Sequence, residues 1–471
     1  MKEMKEISTP TVQLGFSQPC EKSISLGHES PNWKNWDGGK IGGRPSFLNP
    51  RDIPQAPLRC QQCMYRDGTD RGTILRFIAQ IYSPADEDTQ NDDAYHRTLY
   101  VFACPHPKCS SEDTPIHPSL NLSSSIIVLR CQLPKLNEFF PLDCKSAKTW
   151  KKHSSEYWNV NKCVVCGLRA TGKCPKMNKW FCCKEHQLEY YTIYASSSNT
   201  DNVYLNSVYE ESELIVEDEP DEVPMTEDDL QKVLQTSMFI SEEEETDQDK
   251  LGVWNQNDLN ELTGIGGRGV TDINTIEFYT RIGRGQGDVK GQCLRYCRWP
   301  HDVHDVKSPQ DTEEDWVEFT VGPLWISSIH RPCINDIPCC QYCGSDRRFE
   351  FQIMPQMLHF LTNNIHRKRP VIQDNPALKD AILATSNIID KATDEGLELE
   401  IPDDIQQAHE DLKERMKNNI IKPKDDKFHD TLDFGVISVY TCIKSCGGGE
   451  DKKVAYRQEF AWRQPPLRFD K

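Results

Sequence analysis

Twelve residues have the types and spacings that hold a divalent metal. Cys60 with Cys63, Cys163 with Cys166, and Cys340 with Cys343 each stand as C-x2-C. Such a turn presents two thiolates to one ion, and zinc asks for four ligands in a tetrahedron. The second halves come further along the chain, as Cys104 with Cys109, Cys182 with His186, and Cys442 with Cys446. Three sets of four result. A closed set leaves no open position for a substrate, so the expected role is structural and the expected complement is three zinc ions per chain. The middle set sits in a finger, CVVCGLRATGKCPKMNKWFCCKEHQ, which also carries the remains of a second site. Cys174 opens a pair there, but Met177 stands where its partner belongs, and a thioether is a poor zinc ligand. One ion is expected in the finger, with Cys182 rather than Cys183 as ligand.

The chain has 20 cysteines among 471 residues, no secretory apolar core after Met1, and no apolar run approaching a membrane span. A soluble, intracellular protein is expected, with paired cysteines as metal ligands rather than disulfides. The net charge of −18 is concentrated. Residues 210–249 hold 17 Asp or Glu and one Lys, a net of −16, which leaves −2 for the rest. That balance argues against general nucleic-acid binding, which needs clustered cations, and suits a basic protein partner.

Other motifs carry less. His301 and His304 form H-x-x-H, but no further ligands remain for them, so a solvated loop is expected. GIGGRG (264–269) comes after no strand and reads as a loop. TEDDLQKVLQTS (226–237) has a capping-box start and reads as a transient docking helix. No catalytic residues, cofactor-binding loop or methyltransferase motif can be assigned, and no enzymatic activity is expected.

The elements that must position the ligands are mostly strands. TILRFIAQIY, RTLYVFAC and SSIIVLRCQ are dense in β-branched and aromatic residues, as are RFEFQIM, GVISVYTC and YRQEFAWRQ later. Residues 11–50 read as an irregular lead-in, and 376–421 as helical. The order repeats. C-x2-C, then FIAQI, then LYVFAC closing onto Cys109 is echoed by C-x2-C, then FEFQI, then ISVYTC closing onto Cys446. The fold class is therefore mostly β (α+β), with two related zinc-clipped β units packed together, an inserted zinc finger and a disordered acidic linker. The expected divisions are an N-terminal unit at 11–150, the finger at 155–192, the linker at 193–262 and a C-terminal β domain at 263–471.

These motifs together resemble the programmed cell death protein 2 family. The likeness rests on KIGGRPSFLNP, FIAQIYSP, HRTLYVFACPHPKC, CQLPKLNEFFP, CCKEHQ, PLWISSIHRP, IPCCQYCGSDRRFEFQIMPQML and the C-terminal VYTC and EFAWRQ. It implies a MYND-type finger, degenerate here because of Met177. It also implies a dedicated chaperone of one basic small-subunit ribosomal protein, the eukaryotic member of the bacterial S-five family. Such a chaperone captures its client near synthesis and hands it to the assembling small subunit. The expected setting is cytoplasmic, with nuclear shuttling left open. The protein is expected to be monomeric apart from the client, with no direct nucleic-acid or membrane contact. A zinc-finger transcriptional or signalling adaptor is the alternative.

Overall fold

Strands form where β-branched and aromatic residues are densest, and also at places where they are not. The computed structural model describes residues 12–19, 39–68, 71–85, 92–106, 109, 125–140, 155–196, 209, 211–219, 274, 278, 281–282, 292–298, 322–361, 432–447 and 455–466. In chain order the first strands are β1 (Gln13–Pro19), β2 (Gly39–Ile41), β3 (Arg76–Tyr82), β4 (His96–Ala103) and β5 (Ile126–Leu133). The finger contributes a small hairpin, β6 (Gly172–Cys174) and β7 (Lys179–Phe181). Next come β8 (Ser212–Asp218), β9 (Gln292–Tyr296), β10 (Arg347–Ile353), β11 (Val436–Cys442) and β12 (Tyr456–Gln464). Two α-helices among the described residues bear on the ligands, α1 (Gln61–Asp67) and α2 (Lys184–Ser196).

Ten of the strands close one antiparallel barrel in the order β1-β8-β2-β3-β4-β5-β12-β11-β10-β9. The two β units are thus halves of one sheet. β8-β2-β3-β4-β5 corresponds to β1-β9-β10-β11-β12. β3 slips register on β4 between Phe77 and Ala79, and β10 slips on β11 between Phe349 and Phe351. The echoed glutamine does the same work in each half. Gln80 Oε1 accepts from the Ser46 amide at 2.9 Å, and Gln352 Oε1 accepts from the Leu324 amide at 2.7 Å.

The halves exchange strands. N-terminal β1 lies between β9 and β8, pairing Gln13 with both Tyr296 and Asp218. β8 in turn joins β2, with Lys40 opposite Glu213. β8 falls within the stretch expected as a linker, because its alternate residues Ser212 and Leu214 are buried while its acidic ones stay outside. The lead-in likewise contains β1 and β2. At the start of β2, Gly39 has φ +111°, and a Cβ there would lie 2.0 Å from the Gln80 carbonyl oxygen. Residues 197–208, 210 and 220–262, which include 226–237, together with 264–269, His301, His304 and 376–421, lie outside the described residues.

The barrel interior is apolar, with Leu99, Val101, Val128, Leu294, Phe351, Ile353 and Val439 buried together. Burying each such side chain contributes about 1.5–3 kcal/mol. The outer faces are covered too. Loop 44–58 and the finger pack over Tyr100, Phe102 and Leu129, while Val12, Ile337 and Trp462 pack beside Phe349, Tyr440 and Phe460. Burial on both faces is why these strands read as near-continuous apolar runs.

Charges also enter the core. Arg97 on β4 reaches Glu350 on β10 across the barrel, with Nη1 to Oε1 at 2.5 Å and Nη2 to Oε2 at 2.8 Å. The Ser83 and Thr441 hydroxyls donate to the same carboxylate. Glu459 on β12 accepts from Arg130 Nε of β5 at 2.6 Å and from Arg347 Nε of β10 at 3.1 Å.

Candidate metal centres

At the first centre the chain turns into α1 at Cys60, whose sulfur accepts the Cys63 amide at 3.4 Å. The helix ends after two turns at Gly68, in the left-handed region with φ 61°. This places Cys60 and Cys63 one turn apart, facing Cys104 at the end of β4 and Cys109 beyond it. Cys63 Sγ lies 3.7 Å from Cys104 Sγ and 3.4 Å from Cys109 Sγ, and Cys60 Sγ lies 3.7 Å from Cys109 Sγ.

The second centre uses a different turn. The Cys340 amide bonds the Ser345 carbonyl at 2.7 Å, and Gly344, with φ 72°, returns its N–H to the Cys340 carbonyl at 2.8 Å. The finger repeats this knuckle at Cys163, Leu168 and Gly167, with φ 75° at the glycine. β11 delivers Cys442, and the next turn delivers Cys446. Cys340 and Cys446 Sγ are 3.5 Å apart, as are Cys343 and Cys442 Sγ.

In the finger, α2 sets His186 beside Cys182, with Nδ1 3.1 Å from Cys182 Sγ and 3.7 Å from Cys163 Sγ. Cys166 Sγ is 3.7 Å from Cys182 Sγ. The structure thus brings all twelve sequence-derived ligands into three sets, the ligand atoms of each lying within 4.8 Å of one another. Zn–S bonds of about 2.3 Å imply an S–S tetrahedron edge of roughly 3.8 Å, close to these separations and far from a disulfide. All the described cysteines are free thiols. Cys174, Met177 and Cys183 pack against the finger's small core. Among the described residues no further ligand set forms around Cys174.

Hydrogen bonds around the sulfurs suit a dication held by four thiolates, which carries a net charge of −2. Arg66 on α1 donates to Cys109 Sγ at 3.5 Å and to Cys63 Sγ at 3.6 Å. At the second centre Arg457 Nη1 approaches Cys446 Sγ at 3.8 Å. Arg130 Nη2, from the other half of the barrel, donates to the Cys446 carbonyl at 2.7 Å. Its neighbour Gln132 donates to the carbonyls of Ser445 at 2.9 Å and Gly447 at 2.6 Å. Without a metal the first centre's thiols compete for protons. Hydrogen bonds from Cys104 are the largest cause that pushes Cys63 and Cys109 down, while the bond with Cys109 pushes Cys104 up. Sequence reasoning did not find these arginines. Arg66, three residues after a ligand on the same helix, was the one with a local signal.

The finger is anchored to the barrel. Glu185 of α2 pairs with Arg59 at 2.7 Å, and Glu189 pairs with Arg76 at 3.0 Å. The Arg51 guanidinium lies 5.3 Å from the Trp158 ring centre and 5.6 Å from that of Phe139.

Residues 11–147 match the family model for the N-terminal domain of programmed cell death protein 2, and residues 276–373 match the model for its C-terminal domain. The chain is 24% identical over 477 residues to Programmed cell death protein 2 of Bos taurus, covering 98% of each. It is 24% identical over 481 residues to the Rattus norvegicus protein of that name, again covering 98% of each. It is 25% identical over 354 residues to Programmed cell death protein 2-like of Gallus gallus, covering 71% of this chain and 82% of that one. No solved structure matches it.

Proposed function

The chain belongs to the programmed cell death protein 2 family, and from that premise we propose that it is a dedicated, non-catalytic chaperone of a small-subunit ribosomal protein. The client is the basic, eukaryotic member of the bacterial S-five family, captured during synthesis in the cytoplasm for small-subunit assembly. The observation that carries the reading is the family match across nearly the whole chain. The three ligand sets hold zinc, and each is closed, so the ions clip the scaffold and take no substrate.

Charge supports a basic client. β8 draws residues 212–218 into the barrel, and residues 220–249 beyond it include eleven Asp or Glu and one Lys. A segment of net −10 accelerates encounter with a cationic chain, an effect that fades as salt shortens the Debye length to about 8 Å at physiological strength. The barrel supplies the specific contacts. The test is binding kinetics of the full chain, and of a chain lacking 220–249, with the client's basic terminal peptide over a salt series. Deletion should slow association at low salt and leave dissociation nearly unchanged. Loss of binding at high salt on deletion would make the acidic segment itself the docking site. Failure of the full chain to bind the peptide at any salt would end the chaperone reading.

A further inference from the structure

The two four-cysteine centres share their ligand types and occupy equivalent places in a two-fold barrel, so each is a control for the other. They differ in access. Cys60, Cys63, Cys104 and Cys109 are all buried, none more than 1% exposed. At the second centre Cys340 and Cys442 are buried at 2%, Cys446 is half-buried and Cys343 is exposed. In the finger Cys166 is half-buried and its three companions are buried. One ligand residue of the twelve, Cys343, is therefore exposed, and its sulfur lies 3.5 Å from Cys442 Sγ.

We infer that Cys343 is a site of oxidative modification, through which a peroxide discharges the second centre while the other two keep their metal. Thiolates react with peroxides according to their access and thiolate character, and metal binding keeps a sulfur deprotonated. The Cys343 thiolate attacks one peroxide oxygen. The O–O bond breaks, hydroxide leaves, and the sulfur, two electrons poorer, becomes a sulfenic acid. The Cys442 thiolate then attacks that sulfur, forming the S–S bond as the S–O bond breaks and a second hydroxide leaves. Two thiolates and one hydrogen peroxide thus become one disulfide and two hydroxides. The ion, left with Cys340 and Cys446, departs. The sulfurs must close from 3.5 Å to about 2.0 Å, a shift that falls on the exposed knuckle turn around Cys343 rather than on the buried end of β11. A thiol reductant returning two electrons reopens the site for metal.

This inference rests on the three-zinc reading, and a metal count taken before oxidation keeps the two failures apart. Full-length zinc-loaded protein is treated with one to several equivalents of hydrogen peroxide. Zinc release is followed with a chromogenic chelator, and timed samples are alkylated and mapped by peptide mass. One of three ions should leave in a first phase, about tenfold faster than the others, together with a Cys343–Cys442 disulfide. Release from the first centre or the finger at an equal or greater rate would overturn the proposal. So would metal-depleted protein in which Cys343 and Cys442 are still reduced. Cys333 and Cys339 are also exposed. A chain carrying Cys333→Ser and Cys339→Ser should keep the fast phase, and its disappearance would assign the chemistry to those residues instead.

Discussion

Replacing Glu350 with Gln keeps the side chain's shape and removes its charge, which isolates the cross-barrel ion pair. Glu350 is 0% exposed and Arg97 1%, and the carboxylate receives both terminal guanidinium nitrogens and the hydroxyls of Ser83, Thr441 and Tyr296. Removing one partner of such a pair strands the other charge away from water, at a cost on the order of 3–5 kcal/mol. Because that cost is mostly the stranded Arg97, adding Arg97→Met should recover much of it. The double variant should then be more stable than Glu350→Gln alone. Burial opposes ionisation of Glu350, but the charge and hydrogen bonds of Arg97 outweigh it and hold the carboxyl well below the ordinary carboxylate range. A depressed folded-state pKa contributes stability that is fully present above the unfolded value of about 4.3 and is lost as pH falls below it. The gap between wild type and Glu350→Gln should therefore narrow in acid. Metal loss in acid is common to both proteins, so the gap is the quantity to read. Denaturant unfolding in zinc-buffered solution measures it. A cost below about 1 kcal/mol at neutral pH, the range of exposed pairs, or additive losses in the double variant, would refute the argument.

Metal analysis of protein purified without added zinc should give three ions per chain, and Cys174→Ser should leave that count unchanged. Cys60→Ser and Cys442→Ser should each sharply lower soluble yield, since a structural zinc contributes on the order of 10 kcal/mol of folding free energy; protease resistance of the soluble fraction provides a second reading. Arg130→Met should weaken zinc retention by the second centre about 10- to 100-fold in chelator competition while sparing the first centre, because the Cys446 carbonyl loses its donor. Gly39→Ala should disrupt the β2–β3 pairing and lower the unfolding midpoint, since the new methyl would overlap the Gln80 carbonyl oxygen.

The ligand sets were legible because their information is local. A C-x2-C pair and a strand end carry the spacing by themselves, and the echo of FIAQI in FEFQI exposed the duplication. β3, β4, β5, β10, β11 and β12 were legible because they are buried on both faces. Closure of the barrel was not. β2 is three residues long with a glycine, β1 contains Gly15 and ends at Pro19, and β8 hides its buried Ser212 and Leu214 among acidic neighbours. Their strand character comes from partners far along the chain, such as Gln13 with Asp218 and Tyr296. The core charges escaped for a related reason. Arg97, Arg130, Glu350 and Glu459 look like ordinary polar residues within strands, and only the barrel brings them together. Glu350 falls at the register slip of β10, which a simple alternation of faces cannot anticipate.

The exchange of strands between halves also sets a timetable for synthesis. β1 precedes the other described strands in the chain, yet its neighbours β8 and β9 come only at residues 212–218 and 292–296. At about 5–20 residues per second, that is a wait of tens of seconds. Meanwhile Cys109 completes the first ligand set, so metal can clip α1 to the end of β4 while β1 still waits for both partners. The free side of β5 stays open until β12, the last of the described strands in chain order, pairs Glu459 with Val128 and Tyr456 with Cys131. A nascent chain thus carries a long apolar strand edge for most of its elongation, the kind of edge that pairs with other chains. Truncation just before β12 should be as damaging as truncation at mid-chain, because it removes the one strand that seals β5 and supplies the carboxylate for Arg130 and Arg347.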